Sequence, residues 1–266
     1  QDEIELMNGR LILSPGIRYV DFEAKATADA VYLAGNPGIS APEDFSDSEV
    51  TAKLGVVYEF TSDLSIYGNV SEGFRAPPYD DVNVGFTNFI GGYKTISNAA
   101  LESETSIGYE IGTRLRGGWG SVNVAVFKND YDNFIESLAT APAFAGSGGI
   151  DPADGLLTFQ SVNLSEVEIK GLEFSGELSL APLNDSLEGS AFKFALAYAE
   201  GENIAAAEPL DSIEPLSAVF GLTYDAPSGK WGGDLVFSLA KGKDASDINS
   251  TSARNETSGY GSLDLM

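Results

Sequence analysis

The side chains that could do chemistry gather in one stretch, Phe74 to Glu104, and at one later point, Tyr131. The guanidinium of Arg75 could clamp an anionic ligand through paired, charge-assisted hydrogen bonds. Tyr79 and Tyr93 follow it, and a tyrosine oxygen can ligate haem iron. Adjacent carboxylates at Asp80 and Asp81 could contribute oxygen ligands to calcium. Tyr131 sits in the polar, aromatic run Asn129-Asp130-Tyr131-Asp132-Asn133-Phe134-Ile135. Each group also has a plain structural role open to it. Arg75 can pair with a carboxylate inside a wall, Phe74 can sit at a membrane interface, and loop tyrosines can simply pack. Pro77-Pro78 ends a strand, because proline cannot donate to a ladder and restricts its predecessor.

What is missing narrows the chemistry further. The chain has neither histidine nor cysteine. A Ser-His-Asp triad, a histidine-based zinc site, a thiolate site and a disulfide framework are therefore ruled out. No catalytic residue, cofactor or metal centre is expected, and the chain does not read as an enzyme. Forty acidic residues face fifteen basic ones, a net charge of −25. That sign excludes a nucleic-acid partner. The acids concentrate in 23–49 and 200–214. They read as solvated loops, with a cation-attracting vestibule as the sharper alternative.

The elements that would position these groups show a period of two. Leu64, Ile66, Gly68 and Val70 alternate with Ser65, Tyr67, Asn69 and Ser71; Ile107, Tyr109, Ile111, Thr113 and Leu115 alternate with glycine and charged residues. Similar stretches cover about 9–25, 48–60, 119–138, 156–180, 190–200, 216–224, 231–241 and 259–266. Pro15-Gly16 predicts a bulge in the first strand. An apparent phase slip between Ile169 and Leu172 predicts another at Gly171. Turns near 61, 117, 185 and 228 are short, whereas 26–47, 75–103, 139–155, 201–214 and 242–257 are long. Strict alternation of short turns and long loops predicts an antiparallel up-and-down sheet. No apolar run is long enough for a transmembrane helix, but several strands are long enough to cross a bilayer at a tilt. The expected fold is all-β: an up-and-down transmembrane β-barrel, represented by about ten strands.

The ordered motifs resemble those of the TonB-dependent outer-membrane receptors. The matching pieces are Ser71-Glu72-Gly73-Phe74-Arg75-Ala76-Pro77, then Asn98, Leu101, Glu104-Thr105-Ser106 and Tyr109-Glu110-Ile111-Gly112. The Asn129 to Ile135 run, Asn163 with Glu168-Ile169-Lys170-Gly171-Leu172-Glu173, and Pro215-Leu216 before Gly221-Leu222-Thr223-Tyr224 continue the likeness. The resemblance implies a 22-stranded barrel with a plugged lumen, of which residues 1–266 form part of one barrel domain. The plug and the final strands would lie elsewhere, and the present strands alone could not close with the parent's shear. It implies a place in the outer membrane of a Gram-negative bacterium, in contact with its lipid. It further implies energy-dependent uptake of a scarce, bulky ligand, an iron–siderophore complex above all, driven by a TonB-type coupling protein through the missing N-terminal part. Arg75, Tyr79, Tyr93 and Tyr131 are the ligand-facing candidates. Phe74, Arg75, Ala76, Pro77, Asn98, Leu101, Glu104, Asn163 and Gly171 are the family-motif positions.

The first two boxes also resemble those of haem and haemoglobin receptors, where a histidine between them helps ligate haem iron. Here the second box reads Asn98-Ala99-Ala100-Leu101, without a proline, and no histidine intervenes. That departure weighs against haem ligation. The alternative function is a passive, acidic, porin-like barrel without a plug.

Overall fold

Alternating side chains settle into strands when the two faces of a sheet meet different surroundings. A computed structural model describes residues 2–28, 30–31, 42–250, 252 and 254–266. The expected loop signal Gly35-Asn36-Pro37-Gly38 lies outside the described residues. In chain order the strands are β1 (Ile4–Leu6), β2 (Leu11–Ala24), β3 (Phe45–Glu59), β4 (Leu64–Arg75), β5 (Phe86–Asn88), β6 (Tyr93–Ile96) and β7 (Glu104–Gly117). Then follow β8 (Gly120–Thr140), β9 (Leu157–Ser179), β10 (Ser190–Asn203), β11 (Glu208–Pro209), β12 (Ser217–Asp225), β13 (Gly232–Ala240) and β14 (Tyr260–Leu265). The wall order is β1-β2-β3-β4-β7-β8-β9-β10-β12-β13-β14, with every neighbour antiparallel. The ten expected strands are all in that wall. Among the described residues no ladder joins β14 back to β1, so the sheet is open, an arc of a larger barrel.

Register sorts the side chains cleanly. One cross-strand row reads Ile66, Thr113, Val124, Phe174, Leu196, Ala218, Leu239. The row one residue on, facing the other way, reads Tyr67, Gly112, Ala125, Glu173, Ala197, Ser217, Ala240. The first face is apolar yet open, with Ile111 at 57% and Leu263 at 65% exposure. A continuous apolar surface of this extent is incompatible with water and suits lipid. Among the described residues no helix is long and apolar enough to cross a membrane; the strands do the crossing. At the short-turn end, Tyr58 meets Phe60 at 4.7 Å and Tyr224 meets Trp231 at 4.9 Å. Amphipathic rings of this kind favour the lipid–water boundary.

Two glycines on the inner face are needed for close approach. A Cβ at Gly112 would lie 2.5 Å from the Tyr67 hydroxyl, and one at Gly171 would lie 2.5 Å from Cζ of Phe127. Both rings lie flat over backbone that no side chain may occupy.

Neither expected bulge exists. Pro15 and Gly16 stay in unbroken register with Leu54 and Lys53. The Pro15 carbonyl accepts from the Asp2 amide, so its missing N–H points toward the sheet edge rather than the β3 ladder. Gly171 is in register with both Phe127 and Ala199. The apolar pattern changes face there for another reason. Leu210 and Ile213 cover the inner face at Gly201, the partner of Ile169, so inward apolar residues are sheltered at that level. The actual irregularity in the β8–β9 ladder falls between Glu136 and Ala139, where Leu138 takes a φ of 57°.

Candidate functional site

The long-loop end of the wall is organised by the connection between β4 and β7. Alternation along β4 puts Phe74 on the outer face and Arg75 on the inner one. Arg75 stands opposite Glu104 across the ladder, Nη1 to Oε2 at 3.4 Å. The same Glu104 oxygen accepts from the Ile135 amide at 2.8 Å, and the residue is only 7% exposed. Past half-buried Ala76, the fully buried Pro77 turns the chain into a single helical turn, Tyr79–Asn83. Its Val82 packs with Leu101 and Ile135 in a small buried cluster. Its Asn83 side chain accepts from the Glu43 amide at 2.7 Å and donates to the Glu43 carbonyl at 3.1 Å, tying this loop to the β2–β3 loop.

Two asparagines of the family motifs act as staples. Asn98 donates from Nδ2 to the Ser161 carbonyl at 2.9 Å and accepts from the Ala100 amide at 3.1 Å. Asn163 accepts from the Glu102 amide and donates to the carbonyls of Glu102 and Asn133. Both satisfy backbone groups that no ladder reaches, which unpaired would cost about 1–3 kcal/mol each. Together they fix the approach of β7 against the top of β9.

Between these staples the chain forms a β5–β6 hairpin, and β6 then runs parallel to β9, Tyr93 to Ile96 against Leu157 to Gln160. Phe159 and Gln160 already pair with Thr140 and Ala139 of β8, so β6 takes the opposite edge of β9. The Tyr93 ring lies 6.3 Å from Phe86 and 6.4 Å from Phe159. Lys94 closes the arrangement: its Nζ sits 2.5 Å from Asp151 and 2.7 Å from Asp154, with the side chain 14% exposed.

This clasp has a defined pH response. Burial pulls the Lys94 ammonium down, but hydrogen bonds and charge from Asp151 and Asp154 outweigh it and hold it above its ordinary 10.5. Lys94, helped by the Ala153 and Leu156 amides, holds the two carboxyls below their ordinary 3.8. Lowered carboxyl values stabilise the clasp above 3.8, and that contribution is lost as pH falls through the folded values. The raised ammonium value stabilises it below 10.5, with loss only as pH rises past the folded value. A nitroxide on Phe89→Cys (the chain has no other thiol) should give a broad spectrum from about pH 5 to 9 that sharpens in acid below 3.8. Lys94→Gln should sharpen it already at neutral pH; an unchanged spectrum in that variant would count against the clasp.

The ligand candidates are thus only partly gathered. Arg75, Glu104 and Tyr131 share the inner face at one level, Tyr131 standing between Ser106 and Val167 and meeting Phe134 edge-on at 5.3 Å. Tyr93 is built into the hairpin's base, and Tyr79 rides the helical turn, 38% exposed. Asp81 serves through its backbone carbonyl, which accepts from the Asn98 amide. Among the described residues no trio of acids is arranged to hold a metal. Sequence reasoning missed Lys94, Asp151 and Asp154, whose partners lie 57 and 60 residues apart. It also missed the second set of staples. Asp211 receives Asn249, Lys243 and Arg254, and Glu208 receives the Ser250 amide and hydroxyl, whose hydrogen bonds hold its carboxyl low. The acid-rich 200–214 loop is a held structure rather than a loose tail.

Comparison with known proteins places this architecture. A sequence model described as TonB dependent receptor-like, beta-barrel, matches residues 1–266. The hemoglobin and hemoglobin-haptoglobin-binding protein A of Haemophilus influenzae is 27% identical over 212 residues, 79% of this chain and 19% of that protein. The hemoglobin-haptoglobin utilization protein B of Neisseria meningitidis serogroup C is 28% identical over 257 residues, 90% of this chain and 31% of that protein. The chain therefore spans less than a third of these relatives. Among solved structures, the copper transporter OprC superposes with a TM-score of 0.69 at 18% identity, covering 96% of this chain and 37% of that one. The ferric enterobactin receptor PfeA of Pseudomonas aeruginosa gives 0.64 at 19%, covering 99% and 35%.

Proposed function

The chain belongs to the TonB-dependent receptor-like β-barrel family, outer-membrane proteins of Gram-negative bacteria that act as receptors and transporters rather than enzymes, and we propose that it supplies wall and outer loops for energy-coupled uptake of an iron-carrying ligand. On this reading the lumen plug and the contact with a TonB-type protein belong to parts of the receptor outside this segment. The observation that carries the proposal is the family match over the whole chain, joined to long loops stapled into a fixed mouth.

Two ligand classes have separate support. The sequence relatives are named for binding haemoglobin, which favours a haem-carrying protein. The absence of histidine leaves this segment no imidazole for haem iron, which favours a ferric siderophore. The two are reconciled if the mouth recognises the protein that carries haem and leaves iron ligation to groups elsewhere, and that is the reading adopted. The test is growth of an iron-starved host lacking its own receptors, supplied with the full-length receptor. Haemoglobin as sole iron source should support growth. Growth on ferric siderophores alone would move the assignment to the second class, and growth on neither would overturn iron uptake.

A further inference from the structure

Near its outer end, β8 carries a carboxylate that segments of this chain close over. Glu136 is 7% exposed. It pairs with Val162 and is the last residue of β8 in regular register before the β8–β9 ladder breaks. Its Oε2 accepts from the Ser212 hydroxyl at 2.8 Å. Beside Ser212, the Asp211 carbonyl accepts from the Lys243 ammonium at 2.6 Å and from the Arg254 guanidinium at 3.1 Å. The Asp211 carboxylate accepts from the Asn249 amide at 2.8 Å. The loop after β10 and the loop after β13 are thereby one unit, and the Ser212–Glu136 contact fastens that unit to β8.

The fastening suits a neutral carboxyl. Lys243 and Arg254 both bond the Asp211 carbonyl, whereas Glu136 receives a hydroxyl; among the described residues no ion pair reaches it. An ionised carboxylate so buried has nothing direct to offset its lost hydration. The apolar outer face ends at Lys128 and Lys170, cross-strand partners bridged by Glu168, and Glu136 stands further along β8, clear of the bilayer. The charged groups around it are Asp211, Lys243 and Arg254 from the two loops, and Glu208 lines the same cleft; β9 contributes Val162 and Leu164 there. Burial pushes the Glu136 carboxyl above its ordinary 4.5; the Ser212 hydroxyl, Arg254 and Lys243 pull it back, and Asp211 adds to the rise. Ser250 holds Glu208 below its ordinary 4.5, so Glu208 stays charged where Glu136 titrates.

We propose that Glu136 is a proton-operated latch: protonated, it keeps the loops after β10 and β13 seated on β8; ionised, it lets them lift. For a carboxyl raised in the closed form, closure is fully present below 4.5 and weakens as pH rises from there through the folded value. The latch thus runs opposite to the Lys94 clasp, which acid opens. It does not depend on which ligand the receptor takes.

The test uses the full-length receptor in vesicles, with nitroxides on Gly118→Cys in the short β7–β8 turn and on Ala205→Cys in the loop after β10, both exposed positions. No histidine of this segment titrates in the interval. The distance distribution between the labels, narrow at pH 4.5, should broaden as pH is raised to about 8. The lifted population should grow about tenfold for each pH unit between 4.5 and the folded value. Glu136→Gln keeps an oxygen for Ser212 but cannot ionise, and should stay narrow throughout. Ser212→Ala, at an exposed loop position, should be broad throughout. A parent distribution that ignores pH would overturn the latch. A glutamine variant that is broad at every pH would overturn it too, because the charge would then be the fastening. One that titrates like the parent would show that another group senses the proton. The melting transition of the wall verifies folding; if the glutamine variant does not fold, Ser212→Ala decides, and a parent-like pH response there overturns the latch.

Discussion

An arginine at Val124 is expected to destabilise the assembled barrel by about 2–4 kcal/mol, while the same residue at the adjacent Asn123 costs far less. Val124 lies in the middle of the apolar face, between Thr113 and Phe174. A guanidinium there meets hydrocarbon without water or a counter-ion. Asn123 lies one residue away and faces inward, between Arg114 and Ser175, within 3.4 Å of the Tyr67 hydroxyl. That surface is already polar and can hydrate a second charge. Urea unfolding of the full receptor in vesicles measures both. Equal losses would mean that the two faces do not see different solvents, and the lipid assignment would fail.

Leu101→Ala should cost about 2–5 kcal/mol, and the loss should be local. Leu101 is 3% exposed and, among the described residues, forms its buried cluster with Val82 and Ile135 alone. So small a cluster cannot close over the space left by three lost carbons. What opens is the loop at its two feet, around Val82 and Leu101, while the hairpin base stays held by β9 and Lys94. Even a loss of about 2 kcal/mol raises the open population roughly thirtyfold. Protease cleavage within the loop should accelerate by a similar factor while the melting transition of the wall moves little. Cleavage at the parent rate would show that the cluster does not hold the loop.

The wall was legible in the sequence because lipid and water impose opposite demands on alternate residues. Ile66 against Tyr67, or Phe174 against Glu173, is enough to fix a face, and the faces fix the strands. The pattern misled only where the loops changed the solvent on one side. Val167 is fully buried on the inner face, so its apolar character signalled shelter by a loop, not the slip expected at Gly171. The short strands β1, β5, β6 and β11 left no periodic trace, since two to four residues cannot show a period. Their existence depends on distant partners: β6 is a strand because β9 offers an edge, and nothing in Tyr93 to Ile96 announces it. For Lys94, the one readable signal was a lone lysine in a stretch that otherwise carries only acids and neutral residues up to Glu104. Its two carboxylates could not be chosen from among the forty acids without the fold. The motif asparagines at 98 and 163 were located by resemblance, yet their work, bonding stranded backbone groups, follows only from geometry.

The parallel pairing of β6 with β9 also sets a sequence of events in time. Wall neighbours need only each other to pair. The hairpin needs more. Its edge does not exist until β9 is in place, and its lysine has no carboxylates until Asp151 and Asp154 lie beside it. During that interval Phe86, Phe89 and Ile90 travel on an untethered segment, the most aggregation-prone state in the life of the loop. Insertion stalled before β9 would therefore leave an apolar tip free to meet other unfinished chains, and the arrival of β9 removes that hazard by anchoring the segment that carries the tip.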